Sequence, residues 1–285
     1  MEAQMSDPRA APPPLIRVLK APKAFELILE HLDFHSVNRL RQTNRFLWRK
    51  IDRNPPDIRL NMIVCELGRR EISLLLQRNP DFNSENDPFD ADIKYIQEDN
   101  NCVVKKNGVV KRVLKDSDIY KVAIKDLILA LTAQASVLYR FVITCENSLA
   151  EEYMDNLRTF HRLLHISLEY RHRPLPLLML QLSIPPDEEF VMPVFSNVDP
   201  RFISTLQIDN NDATKEDTTL ELRHTLNTRQ WANLDFLCVN QGFRLLIPFA
   251  RLAEIPRKRV LLHARVIAQL REVRYEKDQG VQCVY

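Results

Sequence analysis

Apolar residues between Pro22 and Asn54 recur at helical spacing. Phe25, Ile28, Leu29 and Leu32 fall at i, i+3, i+4 and i+7, one stripe of an amphipathic helix with Pro22 at its start. Asp33 to Ser36 interrupts the stripe. Ser36 can cap a second short helix carrying Val37 and Leu40, and Thr43 or Asn44 can start a third carrying Leu47, Trp48 and Ile51 before Pro55 and Pro56 stop it. From Ile58 the pattern changes to short runs that read as strands: Leu60 to Cys65, Glu71 to Leu76, Ile93 to Glu98, Cys102 to Lys105 and Val109 to Leu114, an antiparallel meander.

Beyond Ser117 helical and strand patterns alternate. Leu138-x-x-Phe141-x-Ile143, Leu177-x-x-Leu180-x-Leu182, Ile203-x-x-Leu206-x-Ile208 and Leu234-x-x-Leu237-x-Val239 share the apolar-x-x-apolar-x-apolar frame of leucine-rich repeats, with Val260-x-Leu262 a weaker fifth. Their starts lie 39, 26 and 31 residues apart, too uneven for a regular solenoid. Helices are expected over Ser117 to Gln134, Ser148 to Leu164, Asp187 to Phe195, Asp217 to Asn227, Phe243 to Ala250 and Ala264 to Glu272. Such alternation demands right-handed crossovers and a parallel sheet with helices on one face. The alternate positions then point the other way: Arg140 and Thr144, Met179 and Gln181, Thr205, Gln207 and Asp209, Phe236 and Asn240. That mixture of polar and adaptable apolar side chains suits recognition of a protein target, and these nine residues are its candidate binding face.

Composition narrows the functions available. Hydrophobic residues make up 45 % of 285 and charged residues 27 %, with a mean hydropathy of −0.28, the balance of a folded soluble chain. The longest charge-free stretches, 127–139 and 174–186, are thirteen residues each. A helix needs about 20 to cross a bilayer, so no membrane partner is expected. The four glycines, Gly68, Gly108, Gly242 and Gly280, are too scattered for a phosphate-cradling loop. Five cysteines (Cys65, Cys102, Cys145, Cys238, Cys283) without a CxxC pair suggest neither zinc nor a disulfide framework, and fit a reducing compartment. Met1 to Pro14 has no apolar run of signal-peptide type and reads as a disordered leader.

The formal charge of +2 directs attention to local patches. Between Leu15 and Asn54 nine Lys or Arg face four acidic residues, a surface that would steer an acidic partner. Asp81 to Asp99 holds seven acidic residues and one Lys, and is followed by a basic strip, Lys105, Lys106, Lys111, Arg112 and Lys115. The two can compensate each other on the surface; the alternative is an RNA-binding strip, which lacks the interleaved aromatic residues that base stacking requires. His161-x-x-x-His165 has metal-ligand spacing on a helix but lacks a third ligand, so both read as ordinary core or surface histidines. Cys102, Cys145 and Cys238 lie in expected strands, where thiols are buried and inert. The residues present no active site, no metal site and no cofactor; a hydrolase would require a Cys and a His to cluster in space.

The helical segment raises a physical question. The three helices fit into about thirty-five residues, and below roughly 40 a chain seldom buries enough surface to stand alone without metal or disulfide. Phe25, Ile28, Leu32, Leu47, Trp48 and Ile51 each gain about 1.5–3 kcal/mol on full burial. A protein partner or the rest of the chain must cover what the helices cannot.

Two segments resemble known families. Leu-Asp-Phe-x-Ser-Val-x-x-Leu-Arg (Leu32 to Arg41), then Gln-Thr-x-Arg-x-Leu and Ile51-Asp52, resembles the F-box in the version found in large nematode families. It departs from that version at Lys20-Ala21, where Leu-Pro is usual, and at Trp48, where Arg is common. Asn101-Cys102-x-Val104, Lys115-Asp116 to Tyr120 with Asp126-Leu127, Pro200 with Leu206-x-Ile208, Gln230-Trp231 and Ile247-x-Phe249 look like the FTH (Fog-two homology) domain that accompanies it. The resemblance implies an α+β fold: a disordered leader (1–14), a three-helix F-box (15–56), a strand-rich linking region (57–116) and an irregular leucine-rich-repeat-like α/β domain (117–285). It also implies a non-enzymatic adaptor in the cytoplasm or nucleus. The F-box would dock on an Skp-family adaptor, and through it a cullin, by Pro22, Phe25, Ile28, Leu29, Leu32, Phe34, Val37, Leu40, Arg45, Leu47, Trp48 and Ile51. The C-terminal domain would hold a protein target for ubiquitination. The alternative is a binding or regulatory protein that works outside a ligase; nucleic acid is not an expected partner.

Overall fold

Strands dominate the computed structural model of the chain, which describes residues 21–30, 32, 34–43, 45–53, 56–78, 90–147, 150–185, 187–210, 218–239, 243–246 and 259–262. Contacts divide the chain into two units, Met1–Ile58 and Arg59–Tyr285. The expected leader and the helix at Ala264 to Glu272 lie outside the described residues, as does most of the acidic segment between Asp81 and Asp90.

The first unit contains α1 (Pro22–Glu30), α2 (Phe34–Thr43) and α3 (Arg45–Arg53). Phe25 and Leu29 from α1, Val37 from α2 and Leu47 and Ile51 from α3 form a buried cluster, with Leu32 and Leu40 packed partly against it. The i, i+4 spacing of Phe25 with Leu29 and of Leu47 with Ile51 places each pair on one helical face, which is why short helices can share so small a core. The Lys50 ammonium lies 4.2 Å from the Phe25 ring centroid and shields one side of that core.

The second unit overturns the fold expected from sequence. There is no F-box followed by a leucine-rich-repeat-like domain; the fold is set by one mixed ten-stranded sheet, to which the small helical unit is an N-terminal addition. Its strands are β1 (Met62–Leu67), β2 (Glu71–Gln77), β3 (Ala91–Glu98), β4 (Asn101–Lys106), β5 (Val109–Leu114), β6 (Leu138–Cys145), β7 (Leu177–Ile184), β8 (Thr205–Asn210), β10 (Phe236–Val239) and β12 (Arg259–Leu262), in the spatial order β12-β10-β8-β7-β6-β1-β2-β3-β4-β5. β9 (Thr218–Glu221) and β11 (Phe243–Leu246) form a separate parallel pair. The meander β1 to β5 is antiparallel, and β1, β6, β7, β8, β10 and β12 are parallel. A solenoid would stack successive repeats only on their neighbours; here β6 returns to lie beside β1, so the meander and the alternating region share a single sheet.

The helices expected at 217–227 and 243–250 are also corrected. Leu220 and Leu222 are both buried two residues apart, the period of a strand, and residues 218–221 pair with 243–246. A 3₁₀ turn, Thr225–Asn227, follows. The single helix expected at 187–195 is a 3₁₀ turn (Glu188–Phe190) and a short helix, α6 (Met192–Phe195), with Pro193 in its first turn. The other helices are α4 (Ile119–Ala133), α5 (Glu151–Glu169) and α7 (Arg229–Asn233). The Asp118 carboxylate caps α4 by accepting from the Tyr120 and Lys121 backbone N–H groups. α4 packs on β2 and β3 and against α5. The Tyr95 hydroxyl, on β3, donates to Asp126 of α4 at 2.8 Å, which fixes the helix-bearing face of the sheet as that of Tyr95. Leu157, Phe160, Leu164 and Leu168 give α5 its buried stripe.

The junction between β1 and β6 is clamped at both ends. Where the chain enters β1, the fully buried Gln134 side chain accepts from Leu60 N–H and donates to Leu60 C=O, both at 2.9 Å, and donates to Ser136 C=O at 3.0 Å. Where β1 ends, Leu67 C=O accepts from the Tyr153 hydroxyl at 2.6 Å and Glu146 N–H at 2.8 Å, and Gly68 C=O accepts from the Tyr120 hydroxyl at 2.7 Å. Gly68 also donates its N–H to Glu71 C=O, and a Cβ there would lie 2.7 Å from that same oxygen.

Two stability predictions follow from these clamps. Gln134→Leu leaves a buried N–H and a buried C=O of Leu60 unpaired and should lower stability by roughly 2–4 kcal/mol in urea unfolding. Gly68→Ala should cost about 1–3 kcal/mol by forcing the β1–β2 turn apart, read in the same experiment.

Candidate protein-binding surfaces

In the helical unit the residues expected to dock an adaptor separate into two groups. Phe25, Leu29, Val37, Leu47 and Ile51 are the unit's own core, and Ile28, Leu32 and Leu40 are half-buried. Arg45 and Trp48 are exposed; the side chains of Pro22 and Phe34 lie outside the described set. Among the described residues of this unit three large apolar side chains remain uncovered, Leu27 (57 % exposed), Phe46 (46 %) and Trp48 (44 %). Sequence reading passed over Leu27 and Phe46 because they stand off the regular stripe. Residues flanking a buried helix position are nevertheless where such exposure falls, and Phe46 and Trp48 flank Leu47. Exposed Arg45 and Arg49 lie on the same helix as Phe46 and Trp48, so α3 presents apolar and cationic groups together.

The sheet face away from Tyr95 carries the second set. Strand pairing puts the residues into transverse rows. Phe236, Thr205, Met179, Arg140 and Met62 form one; Cys238, Gln207, Gln181, Val142 and Val64 the next; Asp209, Ser183, Thr144 and Glu66 the third. Arg140, Thr144, Met179, Gln181, Thr205, Gln207, Asp209 and Phe236 are all half-buried on this one face, and Asn240 lies outside the described residues. Sequence reading missed the continuation onto β1, with Met62, Val64 and Glu66. The strand's own alternation signals it, but its neighbour β6 is distant in sequence.

A polar network crosses three strands of that face. The Arg140 guanidinium donates to Gln181 Oε1; Gln181 Nε2 donates to Asp209 at 3.3 Å, and Gln207 Nε2 to Asp209 at 3.0 Å. Arg140 Nε is buried without a hydrogen-bond partner. The network pre-orients its amides at little further entropic cost, as a recognition surface needs.

The residues that bear chemistry are held otherwise. Cys65, Cys102, Cys145 and Cys238 are buried thiols outside any disulfide, and burial raises the pKa of each, that of Cys145 to about 12, so none is a thiolate at neutral pH. Among the described residues no group of three or more potential metal ligands occurs. No described helix is long and apolar enough to cross a membrane.

His161 and His165 line a cleft of about 640 Å³ with Asp155, Arg158, Glu189 and Met192. They do not act as a pair. His165 Nδ1 meets Asn197 at 3.1 Å, whereas His161 is buried against the Phe190 ring with neither nitrogen hydrogen-bonded. Burial lowers the His161 pKa to about 3. The imidazole is therefore neutral in the native protein, while in the unfolded chain it binds a proton below about pH 6.5. Its contribution to stability is complete above the unfolded value and is lost as pH falls from there toward 3. A second cleft, of about 360 Å³, opens beyond the carboxyl end of β1 between Arg69, Arg70, Gln97, Asp99, Tyr120 and Glu152. Comparisons with protein-family models, curated proteins and solved structures return no match for this chain.

His161→Leu removes two unsatisfied nitrogens and the proton linkage together. The variant should match or exceed the wild type in stability at pH 8, and its advantage should grow by roughly 2 kcal/mol by pH 5, measured by urea unfolding at the two pH values.

Proposed function

We propose that the chain is a non-catalytic recruiting adaptor. Its N-terminal helical unit docks on an Skp-family protein that links it to a cullin-based ubiquitin ligase, and the open face of its sheet holds the protein to be modified. The observation that carries this reading is the exposure of Leu27, Phe46 and Trp48 on three short helices whose small core is already formed by Phe25, Leu29, Val37, Leu47 and Ile51. Large apolar groups left uncovered on so small a unit mark an interaction surface. The basic balance of Leu15 to Asn54 adds attraction for an acidic partner. The sequence resemblances of Leu32 to Asp52 and of Ile93 to Tyr275 support the same assignment. Action is by proximity: the adaptor raises the effective concentration of target near a transferable ubiquitin, and catalysis belongs to other subunits. The setting is the cytoplasm or nucleus.

The test is co-expression of the full chain with a panel of Skp-family adaptors, followed by size-exclusion chromatography. Wild type should form a complex with at least one adaptor. Trp48→Asp should lose it while its unfolding free energy changes by less than about 0.5 kcal/mol, as befits an exposed position. Absence of a complex with every adaptor would leave a binding or regulatory protein that acts outside a ligase.

A further inference from the structure

β5 ends the ten-stranded sheet, and among the described residues β4 is the one strand paired with it. An edge strand offers unpaired N–H and C=O groups along its outer side, a template for one more strand. Natural edges are usually short, covered or rich in charge. This one runs six residues, and Val109, Val110 and Val113 are each more than half exposed. A bulge opposite Val104 and Lys105 leaves Lys111 as the extra residue, so that Val110 pairs with Lys105 and Val113 with Val103. Val103 pairs with Ile96, and Lys105 with Lys94, a residue of the open face. Val110 and Val113 therefore extend that face to the rim of the sheet.

Charge selects what can add there. β5 contains Lys111 and Arg112 and no acidic residue, and Lys105, Lys106 and Lys115 flank it. The Arg112 guanidinium is turned to Asp126 at 2.9 Å, on the helix-bearing side. A second copy pairing edge to edge would bring the same cations against these, which is how lysine-bearing edges resist self-association. An RNA strand would satisfy the cations but not the exposed valines or the open backbone, and no aromatic ring stands in β5 for a base to stack on.

We propose that β5 is a docking edge for an extended acidic segment of another protein, which joins the sheet as an eleventh strand. The incoming backbone pairs with the outer side of β5, its β-branched or apolar residues cover Val110 and Val113, and its carboxylates meet Lys111 and the flanking lysines. This docking does not depend on the adaptor reading.

A displayed library of random peptides of about ten residues, selected against the full chain and counter-selected against Val110→Pro, tests it; proline removes the N–H of one edge residue. Lys111→Glu reverses charge without touching the backbone and serves as the second variant. Enriched peptides should alternate Asp or Glu with Val, Ile or Thr. They should bind wild type about tenfold or more tightly than either variant, slow hydrogen exchange of the 109–114 amides, and lose binding when their alternate amides are N-methylated. The proposal is overturned if no enriched peptide distinguishes wild type from the variants, or if N-methylation leaves affinity intact. It is equally overturned if a single-stranded RNA displaces every selected peptide, if the free chain dimerises through this strand, or if the 109–114 amides are already protected in the free chain.

Discussion

The parallel pairing of β1 with β6 is the contact on which the body of the protein depends. Every strand of the antiparallel half reaches the parallel half through it, in a register running from Met62 opposite Arg140 to Leu67 opposite Cys145. The two strands are joined by a long connection that includes the whole meander and α4, so local geometry does nothing to hold them. What holds them is apolar burial of Ile63, Cys65 and Leu67 against Phe141, Ile143 and Cys145, together with polar groups placed at the ends. Gln134 replaces at Leu60 the ladder hydrogen bonds that a strand end lacks. Tyr153 and Tyr120 do the same at Leu67 and Gly68, and they come from α5 and α4. The helices thus tie down the seam as well as covering the sheet.

Most individual strands were legible in the sequence, because a strand with one buried face writes its period of two directly into the chain. The apolar-x-x-apolar-x-apolar frames located β6, β7, β8 and β10, and the same parity identified which side chains share the face opposite the helices. The Asn107-Gly108 pair, with φ of 48° and 75°, makes the tight β4–β5 turn that such a dipeptide signals. What was not legible was adjacency. The frame common to four strands invited a solenoid, in which each repeat meets only the next, and nothing in Met62 to Leu67 announces that its neighbour lies more than seventy residues away. The helices expected at 217–227 and 243–250 failed for a related reason: Thr218 to Glu221 and Phe243 to Leu246 are strands because they pair with each other. In the helical unit, periodicity found the core but counted the exposed Trp48 with the inward residues, and it gave no sign that Leu27 and Phe46, off the stripe, would stay uncovered.

The open face owes its character to the half-burial of its side chains. A fully exposed amide or guanidinium is mobile and hydrated, and binding must immobilise it; a fully buried one is spoken for. Arg140, Gln181, Gln207 and Asp209 lie between these limits, linked across β6, β7 and β8 and flanked by Met179 and Phe236. Such a surface combines fixed hydrogen-bonding directions with apolar area that repacks readily, and its donors lose little freedom when a partner arrives.

The place of β1 also has a consequence for how the chain is made. The meander from β1 to β5 is built from neighbouring segments, so it can pair as soon as it leaves the ribosome. Its inner margin is then β1, with one side unoccupied until residues 138–145 have been synthesised and α4 has folded across. During that interval the strand that will become the centre of the sheet is the outermost strand of a nascent one, rich in Met, Ile, Val and Leu. The vulnerable moment for aggregation therefore falls before the first crossover is complete, and a translational pause placed there would lengthen it.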